Sequence, residues 1–441
     1  MHAPDTQRGA PPGRTSAAAW LRAGWQGISA AADTRAGRWN DLLLAWLGLV
    51  FLATLATMLL VGDETRHYRI YYLLGAAPLL LLVLPRLAYW RELLRSPPFV
   101  AWGLLVLYLT LHGILVGGVG WEARYDTLRY GLLALSFVFG VVVVSRRYPG
   151  FPGLLVGGVV LAGGLSGGLY ALEHLLAWGG SGRLPALGFW DGGGYLDNPN
   201  RLAAVYAPLA LMGLALAIRG SRSRLQTALW LGLALGSLAA VLLTQSRGAL
   251  LGTVVAAGFF LAMERYWKTL AIPLGGMLLF VGAVEVDLLP IRDFTDRINS
   301  VEKRFGIWQS TLARIGQAPV WGEGWATSHS VYVEAYGRSW IHPHNTLLTV
   351  ALQAGLVGAL LFLAVVGRWL WDGYRLWGAH YSAAAGLTVL VYWLVHSLVE
   401  NRFGLGGVNR EWIYLLLPVA LLAEAALRSG STPAARGEGA P

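Results

Sequence analysis

Trp340-Ile341-His342-Pro343-His344-Asn345 stands directly before an apolar run from Leu347 to Val366. Two imidazoles at a helix start on a membrane surface point to proton transfer at a lipid–water boundary. His344 falls at the positive end of that helix, where the field disfavours an imidazolium. A neutral ring can accept a proton from a hydroxyl. The alternative is a histidine that merely caps the helix. Pro343 pushes the residue before it into an extended conformation, so the rings of His342 and His344 are expected to point apart.

Two arginines share this kind of setting. Asp197-Asn198-Pro199-Asn200-Arg201 opens one apolar segment, and Thr244-Gln245-Ser246-Arg247-Gly248 opens another. Asparagine caps a helix and proline suits its first turn, so Asn198 and Asn200 help to build that end. A cation at a helix N-terminus is electrostatically unfavourable unless an anion accompanies it. Guanidinium groups match phosphate bidentately. Arg201 and Arg247 therefore read as phosphate ligands, against the alternative that each snorkels to the interface. Arg304 could complete a phosphate clamp or face water. Glu400 could orient a substrate or pair with Arg402.

The chain that must position these groups is built for lipid. It is 56% hydrophobic and 13% charged, about half the charge of an ordinary soluble domain. Apolar runs near 20 residues recur throughout, long enough to cross roughly 30 Å of hydrocarbon. An all-α integral membrane protein follows, because lipid cannot satisfy a sheet edge. About twelve transmembrane helices are expected, at 42–61, 70–88, 98–116, 128–145, 152–176, 202–218, 225–244, 248–263, 269–286, 346–367, 381–399 and 411–427. Arginines such as Arg86, Arg91, Arg95, Arg146, Arg147, Arg219 and Arg222 collect in alternate connections, which places both termini in the cytoplasm. The net charge of +10 is explained by these loops, and no nucleic acid partner is expected.

The expected organisation is a cytoplasmic tail at 1–40, spans 1–9 at 41–286, and a periplasmic loop with the histidine motif at 287–345. Spans 10–12 follow at 346–428, then a cytoplasmic tail at 429–441. Within the loop, Ile298, Val301, Phe305, Trp308, Leu312 and Ile315 follow the 3-4 spacing of an amphipathic helix, suited to the membrane surface or to capping the bundle. The chain has no cysteine, which excludes disulfides, thiolate metal sites and cysteine nucleophiles. No GxxxxGK[ST] phosphate loop occurs. Glu285, Asp287, Asp293 and Asp296 could hold a divalent ion, but arginines and helix ends make one unnecessary, so neither metal nor cofactor is expected.

These segments resemble the O-antigen ligase and polymerase superfamily of bacterial envelope biogenesis. Asn198-Pro199-Asn200 is similar to its Asn-Pro-Asn segment, and Ser246-Arg247-Gly248 to its Ser-Arg-Gly segment. Arg304, Trp308, Pro319, Gly322 and Gly324 resemble its Arg…Trp…Pro…Gly-x-Gly pattern. His344-Asn345, nine further residues, then Gly355-Leu356-Val357-Gly358 resembles the spacing of the ligases. The resemblance covers about residues 190–410. It implies transfer of a glycan from undecaprenyl diphosphate to a sugar hydroxyl of lipid A–core, on the periplasmic leaflet of the inner membrane. It further implies His344 as general base and a diphosphate clamp of Arg201 and Arg247, with Arg304 a further candidate. His342, Asn345, Asn198, Asn200 and Glu400 would support them. An O-antigen polymerase and a protein O-oligosaccharyltransferase share the donor chemistry. A lipid-linked glycan flippase is the rival of another class, though its ionisable residues would lie nearer the bilayer midplane.

Overall fold

The computed structural model describes residues 35–59, 69–83, 86–179, 198–272, 298–327, 330–399 and 406–431, with isolated positions at 187 and between 275 and 282. Its helices are α1 (Arg35–Thr57), α2 (Arg69–Leu81), α3 (Leu87–Leu93), α4 (Pro97–Leu115), α5 (Trp121–Arg147), α6 (Phe151–Trp178) and α7 (Pro199–Gly220). Then come α8 (Arg224–Leu243), α9 (Arg247–Met263), α10 (Ile298–Ile315), the strands β1 (Val331–Val333) and β2 (Arg338–Trp340), α11 (Thr346–Leu376), α12 (Tyr381–Ser397) and α13 (Trp412–Gly430).

Among the described residues, eight helices are long and apolar enough to cross a membrane, and Arg69–Leu81 and Arg247–Met263 are shorter apolar helices. The protein is thus a mostly helical, multi-pass membrane protein. Helices stand at the expected spans except that α2 covers only the first part of 70–88, whose end runs into α3, and that 269–286 falls largely outside the described residues. Leucines such as Leu176, Leu225 and Leu235 cover the outside of the bundle, the surface a lipid solvent requires. Inside, α6 and α8 cross backbone to backbone. A Cβ added to Gly236 would stand 2.4 Å from the carbonyl oxygen of Gly164, so only glycine permits that approach.

The helix ends remote from His344 are held by ion pairs. Arg147 forks onto Asp41 at 2.6 and 2.7 Å, Arg146 pairs with Glu92, and Arg219 donates to Glu264 at 2.6 Å. Pairing of this kind is what permits charge near an apolar interior.

The loop helix α10 forms where the apolar spacing placed it, yet it packs differently. Its buried face is Ile307 and Thr311, and Ile307 joins Val331, Val333 and Leu352 in a small separate core. Phe305 and Leu312, two residues of the expected apolar stripe, point outward and are exposed. They lie on the opposite side of the helix from Ile307 because consecutive residues turn about 100°.

Candidate active site

The conformation around His344 is built by its neighbours. Asn345 is the N-cap of α11: its side-chain oxygen accepts from the Leu348 amide at 3.0 Å, and its Nδ2 donates to the Leu398 carbonyl at 3.0 Å. Both ends of this amide are thereby used in holding backbone. Trp308 of α10 donates to the Pro343 carbonyl at 3.1 Å. His344 itself has φ 55, a left-handed conformation that histidine visits more readily than most residues. Such backbone costs about 1–3 kcal/mol and concentrates at functional sites.

The expectation of diverging imidazoles is corrected. The rings of His342 and His344 lie 4.2 Å apart, centroid to centroid. The left-handed turn at His344 folds the chain back, so the His344 amide donates to His342 Nδ1 at 3.1 Å. Two further features favour a neutral His344. Burial, followed by the nearby Arg304 guanidinium, pushes its pKa down to about 4. Burial likewise pulls Arg304 below its ordinary value.

A second device lies ten residues on. Gly355 interrupts α11 with φ 65 and ψ −169. Residues 346–354 form a short separate helix, and 356–376 form the segment that crosses the bilayer. The interruption frees backbone groups that must find partners. The loop 319–324 supplies them: Glu323 N donates to Leu352 O and Gly324 N to Gln353 O, both at 2.9 Å, and Leu356 N donates to Pro319 O at 2.8 Å. Helix α4 completes the junction. Tyr108 donates to the Ala354 carbonyl at 3.2 Å, and His112 Nε2 donates to the Trp321 carbonyl at 2.7 Å.

These elements enclose a cavity of about 390 Å³, lined by Asn198, Asn200, Arg201, Ala204, Arg338, Ser339, Trp340, Ile341, His342, His344, His396 and Arg410. Of the residues singled out from sequence, Arg201, Asn198, Asn200, His342 and His344 thus meet at one site. Asn198 caps α7, accepting from the Asn200 amide at 2.8 Å, with Pro199 in the first turn as expected. Arg304 stands within electrostatic reach of His344. Arg247 opens α9 after a tight turn in which Gln245 has φ 56, and it is not among the residues lining this cavity. Glu400 lies outside the described residues.

Sequence reasoning missed His396, Arg338 and Arg410. Arg410 had a readable signal, since it stands two residues before α13 and lines the same cavity as Arg201. Arg338 stacks its guanidinium over Trp340, 4.5 Å from the ring centroid; only the hairpin brings it to the cavity. The hairpin pairs Val331 with Trp340 and Val333 with Arg338. His112 and Tyr108 carried no signal, because their partners are backbone carbonyls distant in sequence.

Residues 232–363 match the family model described as O-antigen ligase. The stretch includes Arg247, Arg304, His342, His344, Asn345 and Gly355. An O-antigen ligase of Pseudomonas aeruginosa is 28% identical over 415 residues, covering 90% of this chain and 95% of that protein. These likenesses support the O-antigen ligase superfamily. O-antigen ligase homologues are glycosyltransferase-type enzymes, and this chain is a multi-pass membrane protein similar to them. More local likenesses are to a Rickettsia felis protein with the provisional name polysaccharide ligase, 25% identical over 34% of this chain and 41% of that protein. A general O-oligosaccharyltransferase of Acinetobacter baylyi is 26% identical over 31% of this chain and 24% of its own length.

Proposed function

We propose that the chain is an O-antigen ligase of the bacterial inner membrane. It moves a glycan from undecaprenyl diphosphate to a sugar hydroxyl of lipid A–core, at a site facing the periplasm, with both termini and the segments 1–40 and 429–441 in the cytoplasm. The observation that carries this reading is the cavity in which Arg201 and His344, 143 positions apart in sequence, share a wall.

The donor is already activated, so the reaction needs charge stabilisation and one proton acceptor. Arg201 holds the diphosphate, with Arg304 and Arg247 contributing positive charge from α10 and α9. His344, neutral in its buried setting, takes the proton from the acceptor hydroxyl as its oxygen attacks the anomeric carbon. The diphosphate leaves from the opposite face, and the configuration inverts. His342 supports the His344 backbone through its Nδ1. Asn198, Asn200 and Asn345 hold the helix ends that frame the cavity.

The test uses purified protein with lipid-linked glycan and lipid A–core. Wild type should form covalent glycan–lipid A–core without a gradient, and His344→Ala should lose transfer while still inserting into membranes. Product formed with donor alone would instead indicate a polymerase. Product on a pilin-like acceptor would indicate protein glycosylation, the chemistry named for the Acinetobacter relative. Movement of donor without covalent product would overturn the transferase reading.

A further inference from the structure

The cavity changes character with depth. Asn200, Arg201, Arg338 and Ser339 at its mouth are exposed, whereas His396 at its floor is 3% exposed. His396 is the penultimate residue of α12. Its imidazole forms part of the wall, and its Nε2 has no hydrogen-bond partner among the described residues. Tyr392, one turn earlier, stacks beneath it with centroids 5.5 Å apart and planes 14° apart. The Tyr392 hydroxyl is also buried with no partner among the described residues. Arg410 lines the same cavity and stands within electrostatic reach of both rings.

Native proteins seldom leave buried polar atoms unmatched, and inside a bundle surrounded by lipid no bulk water relieves them. Here an imidazole and a phenol, both able to donate, gather beside a guanidinium. No carboxylate is among the residues lining the cavity. Such a set is short of an anionic acceptor. A phosphate oxygen drawn in by Arg410 would supply it, in the charge-assisted geometry that makes such bonds strong.

We propose that His396 and Arg410 form an inner phosphate subsite, in which Nε2–H of His396 donates to a non-bridging oxygen of the donor's diphosphate. The proposal rests on the transferase reading for the identity of its occupant. It divides the diphosphate between two levels: one phosphate against Arg410 and His396 at the floor, the other against Arg201 at the mouth. The same subsite retains the polyprenyl diphosphate product after the glycan has left.

The experiment titrates full-length protein in detergent with geranyl diphosphate, a short soluble prenyl diphosphate, by isothermal calorimetry, alongside the transfer assay. Wild type should bind it. His396→Phe keeps a ring on Tyr392 but removes the donor, and should weaken binding about tenfold, the worth of one hydrogen bond to a charged group. His396→Gln returns an N–H near the Nε2 position and should recover most of that loss, which separates the hydrogen bond from a packing defect. Equal affinity in wild type and His396→Phe overturns the subsite, as does a His396→Gln protein no better than His396→Phe at matched thermal stability. Should wild type bind geranyl diphosphate through His396 yet transfer no glycan, the subsite stands and the transferase reading falls. Should transfer proceed while binding is indifferent to His396, the reading stands and the subsite falls.

Discussion

Arg304 on α10 and His344 before α11 are electrostatically coupled: burial, with the guanidinium as the second cause, keeps the imidazole deprotonated down to about pH 4. A group whose pKa is lowered below its ordinary 6.5 stays neutral, and able to accept a proton, until the pH falls through the lowered value. The acid limb of the pH–rate profile for free enzyme should therefore lie near pH 4. Arg304→Gln removes one of the two causes and should move that limb upward while leaving the part due to burial. His344→Ala should lower transfer by about 10²–10⁴-fold, the usual worth of a general base. An acid limb unchanged between wild type and Arg304→Gln would count against this coupling.

Asn345 separates two tasks that a single substitution can split. Asn345→Ala removes the N-cap and should cost about 1 kcal/mol in a denaturation measurement. Asn345→Asp keeps an oxygen for the Leu348 amide but has no N–H for the Leu398 carbonyl, which Asn345 now holds at 3.0 Å. It should keep the cap yet lower kcat, because the start of α11 is no longer tied to the end of α12. Equal stability and equal kcat in Asn345→Asp would show that the tie to Leu398 is dispensable.

Gly355→Ala should damage folding itself. A Cβ there would lie 2.1 Å from the Val320 carbonyl oxygen. The residue also has φ 65 and ψ −169, a region essentially reserved to glycine, where an L side chain costs about 1–3 kcal/mol. Lower yield and an earlier thermal transition are expected, read by fluorescence-detected size exclusion. Gly367→Ala in the same helix meets nothing within 4 Å and should be neutral.

His112 should matter at a distance. Its Nε2–H holds the Trp321 carbonyl and, through that loop, the break in α11. His112→Ala should lower kcat with little change in the donor KM. His112→Gln, which can still donate from a similar position, should restore most of it.

Much of this site was legible because the informative features were local. Asn198-Pro199-Asn200 spelled a capped helix start, and the apolar spacing from Ile298 to Ile315 spelled α10. The rest depended on residues that meet only when the bundle closes. Nothing near His396 in sequence says that α12 ends under the same cavity as α7. The outward turn of Phe305 was equally hidden, since an apolar stripe does not reveal whether it will meet a core or lipid. The imidazole pair was misjudged because Pro343 argues only about the residue before it, and the left-handed turn comes after.

The interrupted α11 leaves a stub of residues 346–354, fastened at its start by Asn345 and at its end by the loop beneath Gly355. Such a stub acts as a protractor. One inserted residue would swing its leading edge by about 100° and lift it about 1.5 Å, carrying the imidazole out of line with its target. The interval between His344 and Gly355 is therefore a setting of angle, and a chain of the same composition with that interval altered would keep every reactive group and aim the base at the wrong atom.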